Sequence, residues 1–482
     1  IMKRGILIAA MALGLVAAPR LWADSLFFAV VRPYAQYDSW LPASPAAPTA
    51  ALYRDYFDTP ALVNFGWELT SEQVDIAVRF DMRYDFWAYI TSSAHANLPF
   101  VENGMNPVMD FNYPTVGYAS WGDGNALVSF GRRKLKWGPG TYDIALSDAA
   151  PYFDNLWAQY KAKASYGTWW ANFVAISMDR AAADGGNYYK VFEGAGSSND
   201  PEQKTVLAHR IGFENSFLRV GFGELNVVYG VSPDLQDIGP LLVYHHLYQD
   251  ANSNVLMSLS AEAKAGPARI FGEFVMDDFT LGFENSADKP TSMGWFLGGE
   301  VGLLGGEKFE SARIDESAYA LKESTFAEPR GLTVGFEHYR TTTYLYNRSN
   351  DAGKFTVPDH RFTFGNGYID DPAAAFIGFL YGPNTSLDMV AVRHESKRAK
   401  LELLLKRLRQ GSYGILDAYV QGSNTLDWYA LTEPVSETWI AEFKGAYALS
   451  DRLRIEGLAA AAFGDDPGFR IGAGASWRID AR

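Results

Sequence analysis

The chain has 482 residues, a formal net charge of -14, aromatic residues at 15% and no cysteine. Lack of cysteine excludes disulfides, thiolate metal sites and cysteine nucleophiles in one step, and the acidic balance argues against nucleic acid as a partner. So many aromatic side chains are abundant for a soluble protein and natural for one with girdles at two membrane interfaces.

At the start, Lys3 and Arg4 precede an apolar run from Gly5 to Ala18, and Leu21-Trp22-Ala23 precedes the first acid, Asp24. That order predicts a signal peptide over 1–23, cut after Ala23 or, as the alternative, after Ala18. The apolar run is shorter than the roughly 20 residues a membrane-spanning helix needs, so an exported chain without a transmembrane helix or lipid anchor is expected. Residues 24–60 read as a short N-terminal segment and 61–482 as one domain.

Within that domain the clearest pattern is residues 74 to 89. Val74, Ile76, Val78, Phe80 and Met82 share one parity, and Asp75, Arg79, Asp81, Arg83 and Asp85 share the other. Side chains alternate across a strand, so this predicts a long strand with an apolar face toward lipid and a charged face toward a wet lumen. Tight turns are expected at Gly122-Asp123-Gly124-Asn125, Asn215-Ser216, Gly266-Pro267, around Ser396 and at Ser450-Asp451. Longer stretches at about 180–203, 231–240, 304–330, 346–360 and 410–440 read as loops that lie on the surface or fold into the lumen. Seventeen strand candidates fall between residues 61 and 479, and Ser25 to Val31 is an eighteenth that would close a ring. The fold expected is therefore all-β: one antiparallel transmembrane β-barrel of 16–18 strands, eighteen preferred, with short periplasmic turns and long extracellular loops.

The densest positive charge lies in "FGRRKLKWGPG", residues 130 to 140. Ala126, Val128 and Phe130 form an apolar face that gives way, in the same parity, to Arg132, Lys134 and Lys136, so the strand is expected to leave the hydrocarbon near Gly131. Arg133 points the other way, and Trp137 fits the membrane interface. Gly138, Pro139 and Gly140 read as a structural turn, because glycine opens backbone angles closed to other residues and proline removes a donor. The cations read in two ways: as contacts to lipid phosphates or lumen acids, or, with Trp137, as a surface that gathers an anionic glycan.

Other candidates are weaker. His245 and His246 would face opposite sides of a strand and cannot clasp one metal. Asp277-Asp278 and Asp370-Asp371 read as acidic strand ends facing water, and no metal site is expected. No Gly-x-Ser-x-Gly motif is present, and the expectation is a protein that is not an enzyme and carries no cofactor.

The string "GRRKLKWGPGTYDIALSDAAPYFDNLWAQYKA", followed in order by "AHRIGFENSFLRVGFGELNVVYG", "YHHLYQDANSNVLMSLS" and "DDPAAAFIGFLYGPNT", resembles the Wzi-type capsule assembly family and its uncharacterised outer-membrane relatives. The family's helical region before the barrel has no counterpart here, since residues 40–62 leave room for one short helix at most. What the resemblance implies is a barrel of the bacterial outer membrane that binds or helps assemble extracellular polysaccharide, lectin-like and non-catalytic. Arg132, Arg133, Lys134, Lys136 and Trp137 are then the candidate glycan-binding residues. Expected partners are outer-membrane lipid, surface polysaccharide and the barrel-assembly machinery. The alternative is a porin or substrate-specific diffusion channel, which the charged face of residues 75 to 85 favours.

Overall fold

The computed structural model describes residues 25–39, 56, 59–84, 95–97, 109–111, 115–178, 203–233, 252–278, 290–309, 313–323, 325–359, 371–417, 419 and 426–481. The expected signal peptide, His245, His246, Asp370 and most of residues 40–62 lie outside them.

Eighteen antiparallel strands close into one barrel. In chain order they are β1 (Ser25–Val31, continued by Tyr34–Asp38), β2 (Val63–Thr70), β3 (Val74–Tyr84), β4 (Val116–Gly122), β5 (Ala126–Arg133) and β6 (Phe153–Ala164). Then come β7 (Gly167–Ser177), β8 (Lys204–Glu214), β9 (Leu218–Tyr229), β10 (Ser253–Ala265), β11 (Ala268–Asp278) and β12 (Ser292–Leu304). The last six are β13 (Leu332–Thr341), β14 (Thr385–Glu395), β15 (Ala399–Gln410), β16 (Ser436–Ala448), β17 (Leu453–Gly464) and β18 (Gly468–Ala481).

Closure runs through β1, where Phe27 pairs with Trp67 on one side and with Ala481 on the other. The barrel therefore begins at Ser25, inside the segment assigned above to 24–60, because only this strand can satisfy the free edges of both β2 and β18. Pro33 interrupts β1, and Asn97 repairs the gap. Its side chain accepts the Tyr34 N–H at 2.8 Å and donates to the Arg32 carbonyl at 2.6 Å.

Alternation builds the wall as the parity of β3 predicts. Arg79, Asp81 and Arg83 are buried on the inner face, while Phe80 faces out and stacks on Phe65 of β2 at 5.5 Å. All five anticipated tight turns form, and they sit at one end of the barrel. Their polar residues close them from within: Asp123 Oδ1 accepts the N–H groups of Asn125 and Ala126, and Asn215 Oδ1 those of Phe217 and Leu218.

Two features depart from short turns below and long loops above. The chain between β12 and β13, residues 305–331, is long yet starts and ends at the short-turn end. Asp277 and Asp278, expected to face water, are both buried, because a bulge between Met276 and Asp278 shifts the register and Asp278 pairs with Arg348.

The apolar core lies inside the barrel. Leu135, Trp137, Ile144, Leu146, Tyr346, Phe355 and Phe379 are all at most 1% exposed, and they come from the segments after β5 and after β13, which fold inward. The outer surface is apolar as well, with Phe130, Ile211, Leu259 and Leu297 exposed on it. Replacing Phe80 by Arg should therefore destabilise the barrel by about 2–4 kcal/mol if the site lies near mid-bilayer. Urea unfolding from lipid vesicles measures this, and a lipid-phase probe should label position 80 and spare 79. The reverse labelling would mean that β3 is one residue out of register.

Candidate functional site

The lumen is where residues distant in sequence converge. β5 ends at Arg133, and the chain then turns inward for residues 134–152. Leu135 and Lys136 pair in parallel with Leu321 and Lys322 of the segment that enters from the opposite end. Gly138 takes φ +83°, and the Gly140 N–H is capped by Asp143 Oδ1 at 2.9 Å. A Cβ on Gly140 would meet the Phe296 ring at 2.6 Å, so this glycine is required for space and Gly138 for its angle.

Irregular backbone at membrane depth survives only where its polar groups find partners in the protein. Two wall carboxylates supply them. Glu273 accepts the N–H groups of Ile144 and Ala145 at 2.7 and 3.3 Å, and Glu337 accepts the N–H and hydroxyl of Thr141 at 2.9 and 2.6 Å. Tyr346, from the segment after β13, donates its hydroxyl to the Ile144 carbonyl at 2.5 Å and accepts the Phe379 N–H at 3.1 Å. Its backbone sits at φ 69°, a left-handed angle that costs a non-glycine residue of order 1–3 kcal/mol and persists only when over-determined by its surroundings.

The segment from the short-turn end is held by ionic contacts. Asp315 accepts from Arg32 and Arg454, each at 2.6 Å. Glu323 binds Arg210 at 2.6 Å and Arg219 at 3.2 Å. The Ile314 and Tyr319 carbonyls accept from Arg79 at 2.8 Å and Arg133 at 2.7 Å. Much of the charged inner face thus holds inserted chain in place of water.

These contacts locate the five candidate glycan residues. Arg132 lies outside, paired with Asp154 at 2.6 Å on the same face as exposed Phe130. Arg133 points inward, 3.6 Å from the Tyr118 ring centroid. Lys134 and Lys136 do not continue the parity of Arg132, because the ladder has ended and the chain has turned into the lumen. Lys136 donates to the Gly140 carbonyl at 2.6 Å and lies 3.4 Å from Asp143. Burial disfavours its charge, but Asp143 and Asp148 hold the ammonium above the usual lysine range. Trp137 corrects the expectation of an interface anchor. It is fully buried, with the Arg210 guanidinium 5.4 Å from its ring.

Lys134 is different. Its Nζ donates to the Asp148 carbonyl at 3.1 Å, and it lines a chamber of about 790 Å³ with Tyr142, Tyr381, Lys406, Lys444 and Arg470. Gln410, Ser436 and Asp466 place this chamber at the long-loop end. A second chamber of about 850 Å³ lies toward the short turns, beside Lys400, Arg454 and Asp315. Sequence reasoning passed over these wall residues, yet β15 carried a signal. Leu401, Leu403 and Leu405 share the outward parity, which puts Lys400 and Lys406 inside.

No protein-family profile matches the chain, and no curated protein matches its sequence. Among solved structures, the chain is similar to Wzi, an outer-membrane protein involved in group 1 capsule assembly in Escherichia coli and a carbohydrate-binding β-barrel. The TM-score is 0.51 at 14% identity, over 98% of this chain and 88% of that one. It is also similar to OccD3 (OpdP) of Pseudomonas aeruginosa, with a TM-score of 0.44 at 8% identity over 95% and 91% of the two chains. For OccAB2 of Acinetobacter baumannii the TM-score is 0.44 at 9% identity, over 95% and 99%. At these identities the likeness is one of fold.

Gly138→Val should cost about 1–3 kcal/mol through its backbone angle, and Gly140→Ala a similar amount, about 1–3 kcal/mol, through overpacking against Phe296; urea unfolding of each variant tests both. The Asp315 clamp yields a pH prediction. Burial opposes its charge, but the Arg454 hydrogen bonds and the nearby Arg32 hold the carboxyl well below the usual range. Its stabilisation is then complete above the unfolded value of about 4 and lost only as pH falls through the depressed folded value. Hydrogen exchange over residues 313–323 should stay slow at pH 5 and quicken in strong acid, whereas Asp315→Asn should quicken it at pH 7.

Proposed function

We propose that the chain is a barrel of the bacterial outer membrane that binds an anionic surface polysaccharide at its long-loop end, without catalysing a reaction. The observation that carries this reading is the upper chamber, where Lys134, Lys406, Lys444 and Arg470 stand among Tyr34, Tyr142 and Tyr381. Lysine and arginine pair with sugar carboxylates, tyrosine rings offer flat faces to the C–H side of a pyranose, and Gln36, Gln410 and Thr438 offer hydrogen bonds to hydroxyls. The fold shared with a carbohydrate-binding barrel supports the same reading. Of the five residues first singled out, Lys134 is assigned the direct contact. Arg133, Lys136 and Trp137 position the inserted segment that carries it. His338, paired with Asp388 at 2.6 Å, packs on Trp295 and does not line the chamber.

A second reading, a diffusion channel, is favoured by the presence of two chambers on one side of the lumen. For the glycan reading, Lys134→Ala combined with Tyr381→Ala should weaken binding of acidic oligosaccharides at least tenfold. Wild-type affinity should fall steeply with salt, since exposed charges are screened over about 8–10 Å. Arg132→Ala, on the outer rim, should bind as wild type. Isothermal calorimetry on the refolded barrel decides it, and full affinity in the folded double variant would remove the chamber from the site.

A further inference from the structure

The inserted segments do not fill the lumen evenly. They lean on the wall from β8 to β13 through Arg210, Glu273, Glu337 and the Phe296 ring, and near the short turns the 313–323 segment also reaches Arg32, Arg79 and Arg454. The opposite wall presents small side chains inward, among them Ala460, Ala462, Gly472 and Gly474 on β17 and β18. Space remains on that side, and both chambers lie there.

The chambers share Tyr34, Lys444 and Leu458, so these three side chains form the neck between them. Tyr34 lies flat against β18. A Cβ at Gly472 would come within 2.1 Å of its hydroxyl, and one at Gly474 within 2.8 Å of its ring. The two glycines therefore let the ring rest on the wall instead of crossing the gap. Lys444 is 56% exposed at its side chain although it points into the barrel, which marks the neck as wet. The column spans the wall from end to end: Gln410 and Ser436 lie at the long-loop ends of their strands, Lys400 and Arg454 beside the short turns.

Its lining is positive in an acidic chain. Among the described residues, four Lys or Arg side chains face the upper chamber against two acids, and seven face the lower against three, with Lys444 common to both. Asp38, Asp75 and Asp148 pair three of these cations from behind, Arg470, Arg313 and Lys322, which narrows the excess without removing it. Lys308 and Lys400 form no ion pair among the described residues. A narrow passage with low-dielectric walls focuses such a field on whatever enters.

We propose that this off-centre column conducts small anions across the barrel, with Tyr34, Lys444 and Leu458 as its constriction. The proposal rests on the channel reading and is independent of glycan binding. It adds the class of solute, the route and the residues that select.

The purified chain in a planar bilayer under a potassium chloride gradient provides the test. Its reversal potential should report chloride permeating severalfold better than potassium, and Lys400→Glu with Lys444→Glu should invert that preference. Because the chain has no cysteine, Leu458→Cys provides a single label site. An anionic thiosulfonate should react there faster than a cationic one, the difference should shrink with salt, and labelling should cut the current. A folded barrel with no current, a potassium preference in the wild type, or a Leu458→Cys side chain inert to both reagents would overturn the proposal. Lys400→Glu alone, in the lower chamber and apart from the proposed glycan contacts, keeps the two readings apart, since it should lower the chloride preference and leave glycan affinity at the wild-type value.

Discussion

Every backbone N–H and C=O at the depth of the bilayer must find its partner within the protein, and the architecture follows from the two ways this chain meets that demand. Around the wall the ladder of neighbouring strands does so, and closure through β1 leaves no edge. Inside, where irregular chain has no ladder, the wall lends side chains. Glu273 and Glu337 take up N–H groups of residues 141–145, Arg79 and Arg133 take up carbonyls of residues 314 and 319, and the Tyr346 hydroxyl bridges two inserted segments. Removing any of these would strand a buried polar group, at a cost of about 1–3 kcal/mol or more where it is charged.

The charged inner face consequently has two roles divided by position. From β2 to β13 its arginines and glutamates are largely committed to each other or to inserted backbone, as in Arg210 with Glu323 or Arg269 with Glu262 and Glu300. Beside β17 and β18, Ala460, Ala462, Gly472 and Gly474 leave room and exposed Lys444 reaches water, while near the short turns the 313–315 chain touches this wall at Arg454 and Arg478. Rigidity on one side and open, positive space on the other come from one asymmetry in where the loops fold.

That asymmetry links the two functional readings. The same lysines that would hold an acidic sugar in the upper chamber begin the positive column below it. A glycan seated over Lys134 and Tyr381 would lie across the upper end of that column. Binding and passage are thus separable by mutation yet share one entrance.

Much of the wall was legible in the sequence because a strand has period two. The parity of residues 74–84, the five polar turns and the closing strand at Ser25 could be read from neighbours in the chain, with no knowledge of the fold. The parity rule stops where the ladder stops. After Arg133 it mispredicted Lys134, Lys136 and Trp137, whose positions are set by chain that arrives from the far end of the barrel. The reading of Asp277 and Asp278 as acidic strand ends facing water failed as well, where one bulged residue shifts the face. Arg133 meets Tyr319 across 186 residues, and Arg210 meets Glu323 across 113. The sequence by itself determined a strand's two faces, which depend only on adjacent residues. Only the tertiary structure decided which loops turn inward, because that choice depends on buried partners brought together by closure of the whole ring.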